Sequence, residues 1–152
     1  MLFLLFQLGN DRYALDATQI VEVLPLVQLK QVPQAPAGLA GLLNYRGAAV
    51  PVVDLSQLAL GRASAPRLST RLIMARRGGA DGSLLALVAE QATETLRCDA
   101  AEFVSSGFAD PDTAYLGPVR VTQGRIVQRV EIDKLLTPAM LACLDSTAAP
   151  AS

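Results

Sequence analysis

Fourteen acidic residues are the first place in this chain to look for chemistry. Two carboxylates held a few ångströms apart can serve as general acid and base. Asp110 and Asp112 are the nearest such pair, but they flank Pro111 in a loop of small residues, with no strand end to fix them. Asp54 follows an apolar strand pattern, where a phospho-acceptor aspartate would sit. That chemistry also needs an acidic pair after the first strand and a late lysine. Leu8-Gly9-Asn10-Asp11 supplies at most one acid, and Lys134 stands in a different context. Asp54 therefore reads as a helix N-cap, with Gln57 three residues on. The chain has no histidine. That removes Ser-His-Asp and Cys-His nucleophiles, histidine-based zinc sites and a phosphohistidine acceptor. Cys98 and Cys143 match no metal or redox spacing and read as two buried, reduced thiols. The run Gly78-Gly79-Ala80-Asp81-Gly82-Ser83 has no following lysine, so it reads as a hairpin loop and not as a phosphate cradle. The expectation is a non-enzymatic chain with no cofactor and no metal. The alternative is a small-barrel ligand-binding or catalytic domain using Asp110, Asp112 or Asp54. It requires an enclosed polar pocket around those carboxylates.

Charge narrows the choice further. Net charge is −1, and the lysines are Lys30 and Lys134 alone. The arginines are scattered, so no basic stripe suits nucleic acid, and the few aromatic residues make no stacking platform. Half of the chain is apolar, yet no apolar run approaches the roughly 20 residues of a membrane helix. Leu2–Phe6 lacks a basic start and a cleavage site, so it reads as a first strand, not a signal peptide. A cytoplasmic compartment is expected. What remains is surface contact. In Gly41–Asp54 two apolar runs flank the polar break Asn44-Tyr45-Arg46-Gly47. Such runs read as buried strands, and Gly47 suits a tight turn. The turn carries Arg46 at its tip, either as a contact point or as a solvated arginine. The residues alone favour the solvated reading.

The elements around this hairpin are short. Leu2–Leu8 and Arg12–Leu15 read as strand, turn, strand. Asp16 then opens a helix with Ala17, Ile20, Val21 and Leu24 at helical spacing, ended by Pro25. On this reading Ile20, Val21 and Glu22 lie on a surface helix beside Arg46, giving a patch with an apolar centre and charged edges. Gly61–Ser69 is the best linker candidate. Thr70–Ala75, Leu84–Ala89 and Thr93–Arg97 read as three strands. Asp99 caps a helical turn at Ala100–Val104, and Ser105–Ala114 is a loop. Tyr115–Val121 and Arg125–Ile132 form a hairpin about Gln123-Gly124. Asp133 opens a turn. Thr137-Pro138 starts a terminal helix with Met140, Leu141 and Leu144 on one face. Residues 146–152 read as a disordered tail, which leaves one domain over 1–145. The recurring order is strand, aspartate, short helix, at Asp16, Asp54, Asp99 and Asp133. It suits two small β-barrels sharing a core better than one large sheet.

Several of these residues together resemble a known family. Tyr13-Ala-Leu-Asp16, Ile20-Val-Glu-Val23, Pro33, Pro36, Gly41, Asn44-Tyr-Arg-Gly47 and Pro51-Val-Val-Asp-Leu55 look like the CheW domain, the scaffold of bacterial chemosensory arrays. The likeness runs over roughly residues 2–145, and Tyr45 stands where the family usually has leucine. It implies a mainly β fold of two intertwined five-stranded SH3-like barrels with short helices and a C-terminal helix. It implies a non-enzymatic adaptor between methyl-accepting receptor tips and the regulatory domain of a CheA-type histidine kinase, with other CheW-like domains as further partners. The receptor tip would dock between the barrels near Ile20, Glu22, Gly41 and Arg46. Ile20 would be an apolar anchor, and Gly41 would allow close approach of a receptor helix. Arg46 would be a structural or bonding contact, with an acid of the adaptor itself as a candidate partner. The departures at Tyr45, Leu24-Pro25 and Ala48-Ala49 point to a paralogue serving a pathway other than flagellar swimming, such as surface sensing or pilus control.

Overall fold

No glycine or proline interrupts residues 84–97, and the chain makes one strand of them. In the computed structural model, which describes residues 1–78, 82–105, 107 and 113–148, this strand is β7 (Leu84–Arg97). The two strands expected at Leu84–Ala89 and Thr93–Arg97 are its two ends. Gln91, at φ +52°, lies between them. Opposite it, the pairing with β1 (Leu2–Leu8) shifts register between Leu5 and Gln7. That irregularity bends the strand from one sheet into the other.

The first half of β7 pairs with β6 (Arg71–Arg76) antiparallel and with β5 (Ala48–Asp54) in parallel. β3 (Ile20–Pro25) adds to β6, and β4 (Leu39–Tyr45) adds to β5. This sheet runs β3-β6-β7-β5-β4. The second half of β7 pairs with β1, which leads through β2 (Asp11–Asp16) and β9 (Arg125–Val130) to β8 (Leu116–Thr122). Each sheet has five strands, and β7 belongs to both. The expected pair of small barrels is thus built with nine strands.

Sharing a strand explains the uninterrupted apolar runs, because both faces of the strand are buried. Leu72 and Met74 of β6 enter the cluster of the first barrel with Leu43, Val50, Val52, Ala86 and Val88. The alternate residues Ile73, Ala75, Leu85 and Leu87 enter a larger cluster with Phe6, Leu8, Leu15, Leu55 and Leu135. Phe3, Leu5, Ala14, Phe103 and Val127 fill the second barrel. The large cluster, drawn from both sheets, is the shared core.

Several local expectations change. The helix expected from Ala17 to Leu24 is a single 3-10 turn, Ala17–Gln19, followed by strand β3. Asp16 caps that turn by accepting from Thr18 N–H. The β-branched Ile20, Val21 and Val23 then prefer the pleated ladder with β6 to continued helix. Gly61–Ser69 is no loose linker. Ser64 donates its backbone N–H and hydroxyl to Asp54, Ala65 N–H donates to Glu90, and Thr70 hydroxyl donates to the Ala65 carbonyl. Asp99 makes a full capping box with Glu102. Asp133 lies inside the 3-10 turn Ile132–Lys134 instead of before it, and among the described residues its carboxylate accepts from Gly78 N–H at 2.7 Å and from the Gln19 side chain at 3.0 Å. In α2 (Pro138–Ala148) the inward residues are Met140, Cys143 and Leu144, whereas Leu141 is exposed. The helix takes in residues 146–148 of the segment read as a tail. Cys98 and Cys143 are half-buried rather than buried, each against a different cluster. Asp110, Asp112 and Gly79–Asp81 lie outside the described residues.

Candidate functional site

The hairpin of β4 and β5 has a two-residue tip. Tyr45 pairs with Ala48, so the turn is Arg46-Gly47. Both residues have positive φ, +52° and +87°, as a two-residue turn matched to strand twist requires. Glycine takes that conformation freely; arginine holds it at a cost of about 1 kcal/mol. Asn44 steadies the turn by accepting the Gly47 N–H at 3.1 Å.

β3 and β4 are the two outer strands of the first sheet, and among the described residues no backbone pairing joins them. Side chains bridge this seam. The Tyr45 hydroxyl donates to Glu22 Oε2 at 2.7 Å. Arg46 Nη2 lies 3.6 Å from the same oxygen, an ion pair rather than a hydrogen bond. The guanidinium also sits 5.1 Å from the centroid of the Tyr45 ring. The Tyr45 ring packs, with Leu24, on the cluster of the first barrel. The carboxylate beside it pushes the Tyr45 hydroxyl above the ordinary phenol range, because the hydrogen bond holds the proton; burial adds to this.

The sequence-predicted residues divide here. Glu22 and Arg46 come together at the seam. The acid that pairs with Arg46 belongs to the chain itself. Ile20 stands two residues before Glu22 on β3, half-buried and packed against the shared core. Gly41 is buried in β4 at φ +152°. A Cβ there would lie 2.6 Å from the Lys30 carbonyl oxygen and 3.1 Å from Leu29 Cβ. Lys30 exchanges both backbone hydrogen bonds with Leu42. The close approach that Gly41 permits is thus to its own chain.

Reading β3 as a helix hid one feature. Along β3 the side chains of Ile20, Glu22 and Leu24 turn inward, while Val21 and Val23 are 45% and 43% exposed on an outer strand. The run Ile20-Val21-Glu22-Val23-Leu24 suits one face of a helix as well as a strand, so its pattern alone does not reveal the exposed valines. Ala48 and Ala49 are exposed across the hairpin. Their small side chains leave an apolar recess of about 230 Å³ with Lys30, Leu42 and Leu43.

Asp54 is occupied otherwise. It is buried, and Oδ1 accepts from Ser56 N–H, Gln57 N–H and the Ser64 hydroxyl, while Oδ2 accepts from Ser64 N–H. A carboxylate so engaged is the N-cap of α1 (Leu55–Leu60), not a nucleophile toward phosphate.

A family model described as the CheW-like domain matches residues 2–139. Among solved structures, the crystal structure of the scaffolding protein TtCheW from Thermoanaerobacter tengcongensis aligns with a TM-score of 0.77 at 21% identity, over 91% of this chain and 89% of that one. That likeness concerns the fold. Among curated proteins none matches.

Proposed function

The chain belongs to the CheW-like domain family, whose members are scaffolds of chemosensory arrays, and from that premise we propose that it couples methyl-accepting receptor tips to a CheA-type histidine kinase. It works without chemistry of its own: it holds the two partners in one assembly on the cytoplasmic side of the membrane. Other CheW-like domains are further partners. Among the described residues no helix is long and apolar enough to cross a membrane, so the receptors would supply the attachment.

In this reading the receptor tip docks along the seam between β3 and the hairpin tip. Val21 and Val23 offer apolar surface, Ile20 anchors its edge from the core side, and Arg46 forms the charged end, held beside Glu22. Gly41 supports the site by letting the Leu29–Lys30 segment cross β4 closely. The observation that carries the proposal is the meeting of Glu22 and Arg46 beside exposed valines on an outer strand, the mixture of apolar centre and charged edge that partner proteins recognise. Arg46 is 77% exposed in its side chain, which suits a contact better than a strut. The departures at Tyr45, Leu24-Pro25 and Ala48-Ala49 are the support for a pathway other than flagellar swimming, which the genes neighbouring its own would test.

The test is co-sedimentation of the purified chain with a chemoreceptor cytoplasmic tip fragment and a kinase regulatory domain from the same genome. The expected result is one complex containing all three at micromolar protein. Failure to bind either partner overturns the coupling.

A further inference from the structure

The seam contains one residue that the coupling reading does not use. Tyr45 and Arg46 reach for the same oxygen of Glu22, and Tyr45 has the better contact. A hydroxyl at 2.7 Å from a carboxylate is a short, charge-assisted bond. The guanidinium at 3.6 Å is too far for one. Among the described residues the Arg46 side chain donates no hydrogen bond, although it carries five N–H donors. The ring of Tyr45 meanwhile lies beneath it at 5.1 Å, a cation–π distance.

We propose that Tyr45 is the positioning residue that sets partner preference at this site. By taking the Glu22 carboxylate through its hydroxyl and seating the guanidinium on its ring, it leaves Arg46 to pair with a carboxylate on the docked segment. The partner surface is accordingly acidic where it meets the hairpin tip. Without the hydroxyl, Glu22 has its own arginine as the best partner left, and the guanidinium closes down onto it. The incoming acid then meets a neutralised pair. This rests on the receptor-coupling reading and adds which side chain decides the charge that the receptor meets.

The experiment measures affinity of the full chain for the chemoreceptor tip fragment at low and high salt. Tyr45→Phe keeps the ring and its packing, so its melting temperature should stay within about 2 °C of wild type. Its affinity at low salt should fall about threefold, the worth of one exposed charge pair, and its salt dependence should flatten. Glu22→Gln added to Tyr45→Phe removes the competing acid and should restore both affinity and salt dependence. Glu22→Gln alone frees Arg46 further and should tighten binding about twofold. A purely structural Tyr45 would give no rescue by Glu22→Gln and no change in salt slope. Wild-type affinity in Tyr45→Phe, absence of rescue in the double variant, or weaker binding in Glu22→Gln alone overturns the proposal and leaves the coupling reading standing. No binding by the wild-type chain overturns both.

Discussion

Two of the three β-hairpins that close on a two-residue turn share a left-handed turn backbone and differ in what surrounds it. Arg46-Gly47 joins β4 to β5, and Gln123-Gly124 joins β8 to β9. In each turn both residues have positive φ, and a non-glycine residue takes the first place. The left-handed arginine is therefore no sign of function by itself, since a glutamine meets the same demand elsewhere. The difference lies in the flanks. Tyr45 and Arg46 are tied across an unpaired seam to Glu22. Below Gln123-Gly124 the cross-strand pair is Val121 and Ile126, 65% and 59% exposed. One turn presents an arginine ion-paired to Glu22 across the seam, and the other stands above the exposed Val121 and Ile126. The backbone turn is a general solution to strand twist; specificity is set by what the neighbouring strands bring within reach.

The comparison can be broken from beneath the first hairpin. Gly41→Val puts a side chain where a Cβ already lies 2.6 Å from the Lys30 carbonyl. The expected cost is about 3 kcal/mol. Differential scanning calorimetry should show melting roughly 6–12 °C lower. Unchanged melting would return Gly41 to a role in partner approach. The turns themselves come next. Gly47→Val and Gly124→Val should each cost about 2 kcal/mol, because a β-branched residue resists left-handed φ. Equal losses in chemical denaturation would confirm that the backbones are equivalent, and only the Gly47 variant should lose receptor affinity.

Replacing the first residue of each turn sharpens the contrast. Arg46→Gly and Gln123→Gly relieve the left-handed strain but add freedom to the unfolded chain, so each should shift melting by less than about 2 °C. Receptor-fragment affinity should drop about fivefold for Arg46→Gly and stay unchanged for Gln123→Gly. A loss for both would mean that turn geometry, not charge, is recognised. The smallest effect is alkaline. Tyr45 titrates above its ordinary value because Glu22 holds its proton. A raised folded-state value means that this contribution is fully present below about pH 10 and fades as pH rises through the higher folded value. Tyr13 and Tyr115 are also pushed up, by burial first, so the wild-type chain loses stability there for three reasons. Tyr45→Phe should lose less, by the share of one tyrosine, in denaturation curves measured from pH 8 to 11.

Much of this was open to a reader of residues. Gly41–Asp54 announces a hairpin because turn residues interrupt two β-branched runs. Asp16, Asp54 and Asp99 announce caps because a short acceptor before a helical turn has one obvious use. The motif order from Tyr13 to Leu55 carries the family, whose model spans residues 2–139. The errors share a cause. Ile20–Leu24 is apolar at helical and at strand spacing alike, so period cannot choose, and pairing with β6 decided it. Asp133 has the neighbours of a cap and serves instead a loop and a side chain more than fifty residues away.

The sequence by itself determined the local grammar of strands, turns and caps, because propensities and capping act over a few residues. Only tertiary structure decided that β7 serves two barrels, that Gly41 yields space to its own chain, and that Tyr45 and Arg46 meet over Glu22. Glu22 and Tyr45 are 23 positions apart, on two strands that pair with other partners. Their meeting depends on how the whole sheet curves, which is set by packing both of its faces at once.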